Sequence, residues 1–174
     1  DEAHCISEWG HNFRPDYLKI AGVAAKFGIS PVLALTATAT PAVARDIAAA
    51  FGIASGHVIN TGFYRSNLKL AVTPSASAAR RDLLLSRLSA RAPGPGVVYV
   101  TQQQAAEEMA EFLRRHGYQA RAYHAGMKQE DRDTVQDAFM ASDRMIVAAT
   151  IAFGMGIDKR DIRYVYHYNL PKSL

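Results

Sequence analysis

A chain of 174 residues, 49% hydrophobic and 21% charged, can hold one domain or two small ones and is not the composition of a disordered protein. No apolar run approaches the ~20 residues needed to cross a bilayer, so no membrane is expected as a partner. The net charge of +4 permits a polyanionic partner without establishing one.

The opening stretch joins two adjacent carboxylates and a histidine, Asp1-Glu2-Ala3-His4, to a loop that carries Trp9, Phe13 and Tyr17 among cations. Residues 16–27 then read as a helix with Ile20, Ala21, Ala24 and Phe27 on one face and Gly28 as its stop. Residues 32–35 form a short apolar run suited to a buried strand, ending in Thr36-Ala37-Thr38-Ala39-Thr40. Thr40 is placed to cap a helix that begins at Pro41 and stops at Gly52.

A turn-rich stretch leads through residues 62–67 into the alternating Leu68-Lys69-Leu70-Ala71-Val72, and the expected domain boundary divides 1–64 from 65–174. Residues 79–90 read as a helix with Leu84, Leu85 and Leu88 on its buried side. Pro93-Gly94-Pro95-Gly96 breaks the chain before a strand at 97–100. The next helix carries a capping box, Thr101 with Gln104, and turns Met109, Phe112 and Leu113 to the core. A strand at 119–123, a helix from about 129 to 140, a strand at 145–149, a glycine-rich loop and a strand at 163–168 complete the pattern. Strands alternating with helices of ~12 residues imply βαβ units on a parallel sheet.

Ligands of such sheets bind beyond the carboxyl ends of the strands. Thr36 to Thr38, Thr101, His124-Ala125-Gly126 and Thr150 to Asp158 all fall there. A carboxylate pair suits a magnesium ion and a water nucleophile, although acidic pairs are also ordinary solvated surface. An aromatic and basic loop suits unstacked bases and phosphates, or equally the edge of a core. His124 beside Gly126 reads as a turn histidine or a ligand contact, and Gly154-Met155-Gly156 as a tight turn or a ligand loop. The single Cys5 excludes an internal disulfide, and six histidines show no zinc-ligand spacing. No stretch has the Gly-x-x-x-x-Gly-Lys-Ser/Thr form of a phosphate loop.

Taken in order, several blocks resemble RecQ-type DNA helicases. They are the run from Asp1 to Tyr17, Leu35-Thr36-Ala37-Thr38-Ala39-Thr40, Phe63-x-Arg65-x-Asn67-Leu68, Tyr123-His124-Ala125-Gly126-Met127 and Ala149-Thr150-x-Ala152-Phe153-Gly154-Met155-Gly156-Ile157-Asp158-Lys159. The resemblance implies an α/β chain with two RecA-like, P-loop NTPase-like lobes, the first incomplete. It implies ATP and Mg2+ as cofactors, no zinc site in these residues, and DNA, single-stranded and partly duplex, as partner. Asp1 would hold the magnesium, Glu2 would polarise the attacking water, and His4 would link them to Thr36 and Thr38. Trp9, Phe13 and Arg14 would couple DNA contact to hydrolysis. Thr101, His124 and Thr150 would lie along the single-strand path, and Gly156 and Asp158 would approach the nucleotide. The implied activity is ATP-dependent unwinding, 3′ to 5′, in repair or recombination; the alanine-rich composition sets a bacterial, cytoplasmic and nucleoid-associated location as the default expectation. Such proteins carry a phosphate loop upstream and an arginine finger downstream, so the chain reads as an internal piece that does not turn over ATP by itself. An RNA helicase of the DEAD/DEAH group and a non-catalytic nucleic-acid-binding module are the alternative readings.

Overall fold

A computed structural model describes residues 1–7, 15–62, 64–154 and 156–169, with the side chains of Pro15 and Leu18 left aside. The chain divides into two compact units, Asp1–Ala71 and Val72–Leu174.

The first unit holds a short 3-10 turn, Ala3–Ile6, and two helices, α1 (Pro15–Lys26) and α2 (Pro41–Phe51). The start of α2 is fixed by chemistry legible in the sequence. Thr40 stays extended at φ −65° and ψ 164°, and its side-chain oxygen accepts the Val43 N–H at 3.3 Å. Pro41 takes the first helical position, where its missing N–H costs nothing. At the other end Gly52 adopts φ 65°, the left-handed cap that glycine reaches without steric penalty. The core of this unit is small: Ala3, Val43 and Ile47 are buried, with Ala34, Ala39 and Phe51 packed against them.

Residues 32–35, expected as a strand, run extended without a ladder. The Leu35 carbonyl accepts the Ala3 N–H at 2.9 Å, but Leu33 is 79% exposed and Leu35 52%. A strand exists only with a partner, and among the described residues of this unit no second strand lies beside this one. On α1, Ala24 is buried, whereas Ile20, and Phe27 just past the helix end, both expected on the covered face, are exposed. The alternation at 68–72 likewise stays open, with Leu70 and Val72 exposed.

The second unit is a three-layer α/β/α sandwich. Its elements are α3 (Arg80–Ser89), β1 (Gly96–Tyr99), α4 (Gln103–Arg115), β2 (Ala120–Tyr123), α5 (Gln129–Ala141), β3 (Ile146–Ala149) and β4 (Tyr164–His167). The four strands are parallel in the order β2-β3-β1-β4. Alternation along the strands sorts side chains to two faces. Val98, Ala122, Ile146 and Ala148 pack with Leu84 and Leu88 of α3 and Met109 and Leu113 of α4. Val97, Tyr123, Val147 and Ala149 pack with Val135 and Phe139 of α5 and with Phe153. Burial on both faces explains why β3 reads Ile-Val-Ala-Ala with no polar residue.

The expected capping box does not form. Helix α4 begins at Gln103, with Gln102 at the cap making no side-chain hydrogen bond, and Gln104 Nε2 donates instead to Glu108 at 3.0 Å. Gln102 is extended at φ −124° and ψ 149° and takes the cap position itself, so the threonine lies one residue too far upstream for that role.

Phe139 is fully buried, edge-on to Phe153 at 5.4 Å. Replacing it with alanine is expected to lower unfolding free energy by about 3–5 kcal/mol in urea denaturation. A loss below ~1 kcal/mol would show that the α5 face does not carry the core assigned to it.

Candidate functional site

In the first unit the sequence candidates converge on His4. Its Nδ1 lies 3.2 Å from Glu2 Oε2, 3.0 Å from Thr36 Oγ1 and 3.4 Å from Thr38 Oγ1. The Thr38 N–H donates back to Thr36 Oγ1 at 3.3 Å, closing the threonine pair into one turn. A carboxylate can only accept, so Nδ1 carries the ring proton that Glu2 and the threonines share. Nε2 is then an acceptor, and the Cys5 Sγ lies 3.8 Å away as a weak donor. The turn is pinned to α2 by Ser7, whose Oγ donates to Asp46 at 2.7 Å.

Glu2 stands in the left-handed region at φ 55° and ψ 38°, the only non-glycine residue with positive φ among those described. That conformation costs ~1 kcal/mol or more for a residue with a Cβ, and it aims the carboxylate at His4. Asp1 is exposed; its Oδ1 accepts the Glu2 N–H at 2.8 Å, and its carbonyl accepts the Tyr17 hydroxyl at 3.3 Å. Among the described residues no cluster of three His, Cys, Asp or Glu side chains could hold a metal ion alone. One open carboxylate nonetheless suits magnesium, which takes one or two carboxylates together with substrate phosphates and water. Trp9, Phe13 and Arg14 lie outside the described residues.

In the second unit, register assembles the site. Tyr99 and Tyr123 both pair with Ala149, and the ladder extends one step through Val100 N–H to Ala149 O at 2.8 Å and Thr150 N–H to Tyr123 O at 3.2 Å. His124, Thr150 and Val100 therefore end three adjacent strands at one level, spanning about 10 Å at the usual strand spacing. Thr101, one residue further, is exposed, and Thr150 is half-buried.

His124 is 8% exposed. Its Nε2 lies 3.0 Å from Glu107 Oε1 of α4, while Nδ1 is enclosed without a hydrogen-bond partner. Gly126 sits where a Cβ would collide with Gln103 Oε1 and fall 3.2 Å from His124 Nδ1, so the turn closes against both side chains.

The glycine-rich loop after β3 is held from two sides. Tyr99, at the end of β1, donates its hydroxyl to the Phe153 carbonyl at 2.9 Å and stacks on His167 at 5.4 Å. Burial raises the Tyr99 phenol above its ordinary pKa of 10 and keeps it a donor. A Cβ at Gly154, where φ is 125°, would meet that hydroxyl at 2.8 Å. Gly156 takes φ 77° and Asp158 is exposed. Beyond them Lys159, its side chain only 6% exposed, pairs with Asp161 at 2.9 Å and donates to the Met140 carbonyl at the end of α5 at 3.1 Å. Glu107, Tyr99 and Lys159 were not singled out by sequence reasoning. Glu107 looks like one of several helix-surface acids, and nothing local marks its partner 17 residues away.

The family described as helicase conserved C-terminal domain matches residues 79–174, more than half of the chain. The chain belongs to that family, in its RecQ-type branch. Over 185 residues it is 40% identical to the ATP-dependent DNA helicase Q5 of Mus musculus, covering 100% of this chain and 19% of that protein. Over 175 residues it is 41% identical to the ATP-dependent DNA helicase RecQ of Pasteurella multocida, covering 100% of this chain and 27% of that protein. The chain thus spans less than a third of the length of these relatives. Among solved structures, the S. cerevisiae Dbp5 C-terminal domain, bound there to Gle1 and IP6, superposes with a TM-score of 0.51 at 22% identity, covering 55% of this chain and 53% of that one. That likeness concerns the fold, a RecA-like α/β sheet. Among the described residues no helix is long and apolar enough to cross a membrane.

The hydrogen bond from Lys159 holds the Asp161 carboxyl below its ordinary value of 3.8. A carboxyl depressed in the folded state stabilises above its unfolded pKa and loses that contribution as pH falls through the folded one. Melting temperature is therefore expected to fall as pH drops below the ordinary Asp value of 3.8, and Asp161→Asn to flatten part of that slope in a thermal-melt series. An unchanged acid slope in the variant would show that this pair does not hold the loop.

Proposed function

We propose that these residues belong to an ATP-dependent DNA helicase of RecQ type that unwinds DNA 3′ to 5′ in repair or recombination. In this reading residues 1–64 are the end of a first RecA-like lobe and residues 65–174 most of a second. The single observation that carries it is the His4 cluster: an imidazole within 3.4 Å of both the Glu2 carboxylate and the Thr36–Thr38 pair. Such a ring links a water-activating acid to a segment that moves with it.

Asp1 would hold the magnesium, which neutralises phosphate charge when bound. Glu2 accepts the proton of the attacking water. Any change in its hydrogen bonding alters its share of the Nδ1 proton, and Thr36 and Thr38 take up the difference. Gly156 and Asp158 face the nucleotide. Trp9, Phe13 and Arg14 stack on or pair with the strand whose passage is coupled to hydrolysis. Thr101, Thr150 and the turn at His124 line the strand's path. Stacking and phosphate contact tolerate any sequence, as a translocating motor requires. A cytoplasmic, nucleoid-associated setting belongs to the same proposal.

The 174-residue chain, which has no phosphate loop, is expected to release no phosphate from ATP with or without DNA. In a longer chain that supplies that loop, Glu2→Gln should keep ATP binding and lower DNA-stimulated turnover by about 10²–10⁴-fold in a phosphate-release assay. Turnover within a factor of about three of the parent would remove Glu2 from water activation. Stimulation by RNA rather than DNA oligonucleotides would move the assignment to an RNA helicase.

A further inference from the structure

We propose that Glu107 is a positioning residue for nucleic-acid binding, holding the His124 ring as the Nε2–H tautomer so that the turn after β2 keeps the shape it presents to a DNA strand. The inference rests on the DNA reading above. It concerns a residue on α4 that the reading does not use.

The argument begins with hydrogen-bond inventory. Glu107 Oε1, 3.0 Å from His124 Nε2, can only accept, so the proton sits on Nε2. Nδ1 is then a bare nitrogen, enclosed without a hydrogen-bond partner and facing the backbone at Gly126. Moving the proton would enclose an unpaired N–H against the same backbone. Among the described residues Glu107 is the one hydrogen-bond partner of either ring nitrogen, and it holds the proton on Nε2, the state that the enclosure of Nδ1 also favours.

The turn itself is gripped by one helix face. Gln103 and Glu107, four residues apart on α4, stand one above the other. Gln103 closes over Gly126, and Glu107 holds His124 two residues earlier. The His124 carbonyl in turn accepts the Met127 N–H at 3.2 Å. Since His124 ends its strand level with Thr150, rotation of its ring would shift the turn at the middle of the proposed strand path. The Glu107 side chain is 56% exposed, and exposed pairs contribute little to folding stability. The pair serves orientation more than stability.

The sign of the effect separates this role from a plain charge effect. Removing a carboxylate near a polyanion, taken alone, strengthens binding. A positioning role predicts that binding weakens. The test uses the 15N-labelled 174-residue chain, long-range 1H–15N spectra of the His124 ring, and anisotropy of a fluorescein-labelled oligo-dT at fixed salt. The wild type is expected to bind and to show Nε2 protonated and Nδ1 bare. Glu107→Ala is expected to give mixed tautomers and a Kd raised about five- to tenfold, with its melting temperature nearly unchanged. Glu107→Gln, whose amide oxygen still accepts from Nε2, is expected to recover most of the affinity although it makes the same change in charge. If the alanine variant does not fold, Glu107→Asp, whose carboxylate falls short of the ring, carries both readouts.

An unchanged tautomer, or a Kd within about twofold of wild type, overturns the positioning role while the DNA reading stands. Absence of oligo-dT binding by the wild type, with the ring still in the Nε2–H state, overturns the DNA reading and reduces the pair to a local contact.

Discussion

The parallel pairing of β1 with β3 is the constraint on which the second unit depends. Val97 faces Val147 and Tyr99 faces Ala149, and Val98, Ile146, Val147, Ala148 and Ala149 are all fully buried. A one-residue slip would exchange the two faces of the sheet and turn α4's contacts toward α5. With the register fixed, the chain must leave β1, β2 and β3 at the same level. The loops that carry Thr101, His124 and Thr150 are thereby gathered without any direct contact among the three side chains. What the ladder leaves open is the conformation of each loop, and three side chains supply it: Tyr99 through the Phe153 carbonyl, Lys159 through Asp161 and α5, and Glu107 through His124.

The first unit is organised by the opposite principle, with little packing and one dense polar contact. Among the described residues Ala3, Val43 and Ile47 form its core cluster, while His4 joins Glu2, Thr36 and Thr38 across more than thirty positions of sequence. Because Nδ1 has one proton and several oxygens within reach, the cluster has more than one arrangement of nearly equal hydrogen bonding. A switch needs such near-equality, since an element held in one state by several kcal/mol cannot be moved by a ligand of ordinary differential affinity. The positive φ of Glu2 has the same character: strain at a residue with a proposed chemical role, borne by the turn around it.

Much of this was legible because it depends on short-range rules. The Thr40 cap, the Gly52 stop and the alternation of apolar strands with amphipathic helices are set within a few residues. The contacts of His4 with Thr36 and Thr38 follow no local pattern; the link among these residues is an implication of the family resemblance. The failures share a cause. Residues 32–35 have the composition of a strand, but composition cannot supply the neighbour that makes one. Thr101 and Gln104 have the spacing of a capping box, but α4 begins one residue later, with the extended Gln102 at its cap. Glu107 and Lys159 owe their roles to partners brought close by the sheet, and no window of sequence contains both members of either arrangement's full contact set.

The unladdered run at 32–35 has a consequence for how the chain behaves in bulk. Among the described residues none pairs with it in a ladder, which leaves an edge unpaired there, and Ile29, Leu33 and Leu35 are exposed beside it, as are Val23 of α1 and Phe27 just beyond that helix. Such an edge is a template for intermolecular strand addition, and no lysine, proline or bulge within 32–35 interrupts it. A modest excess of positive charge, screened beyond about 10 Å at 0.1 M salt, gives that edge little protection. In concentrated solution of the 174-residue chain, these few residues are a point at which strand addition can begin.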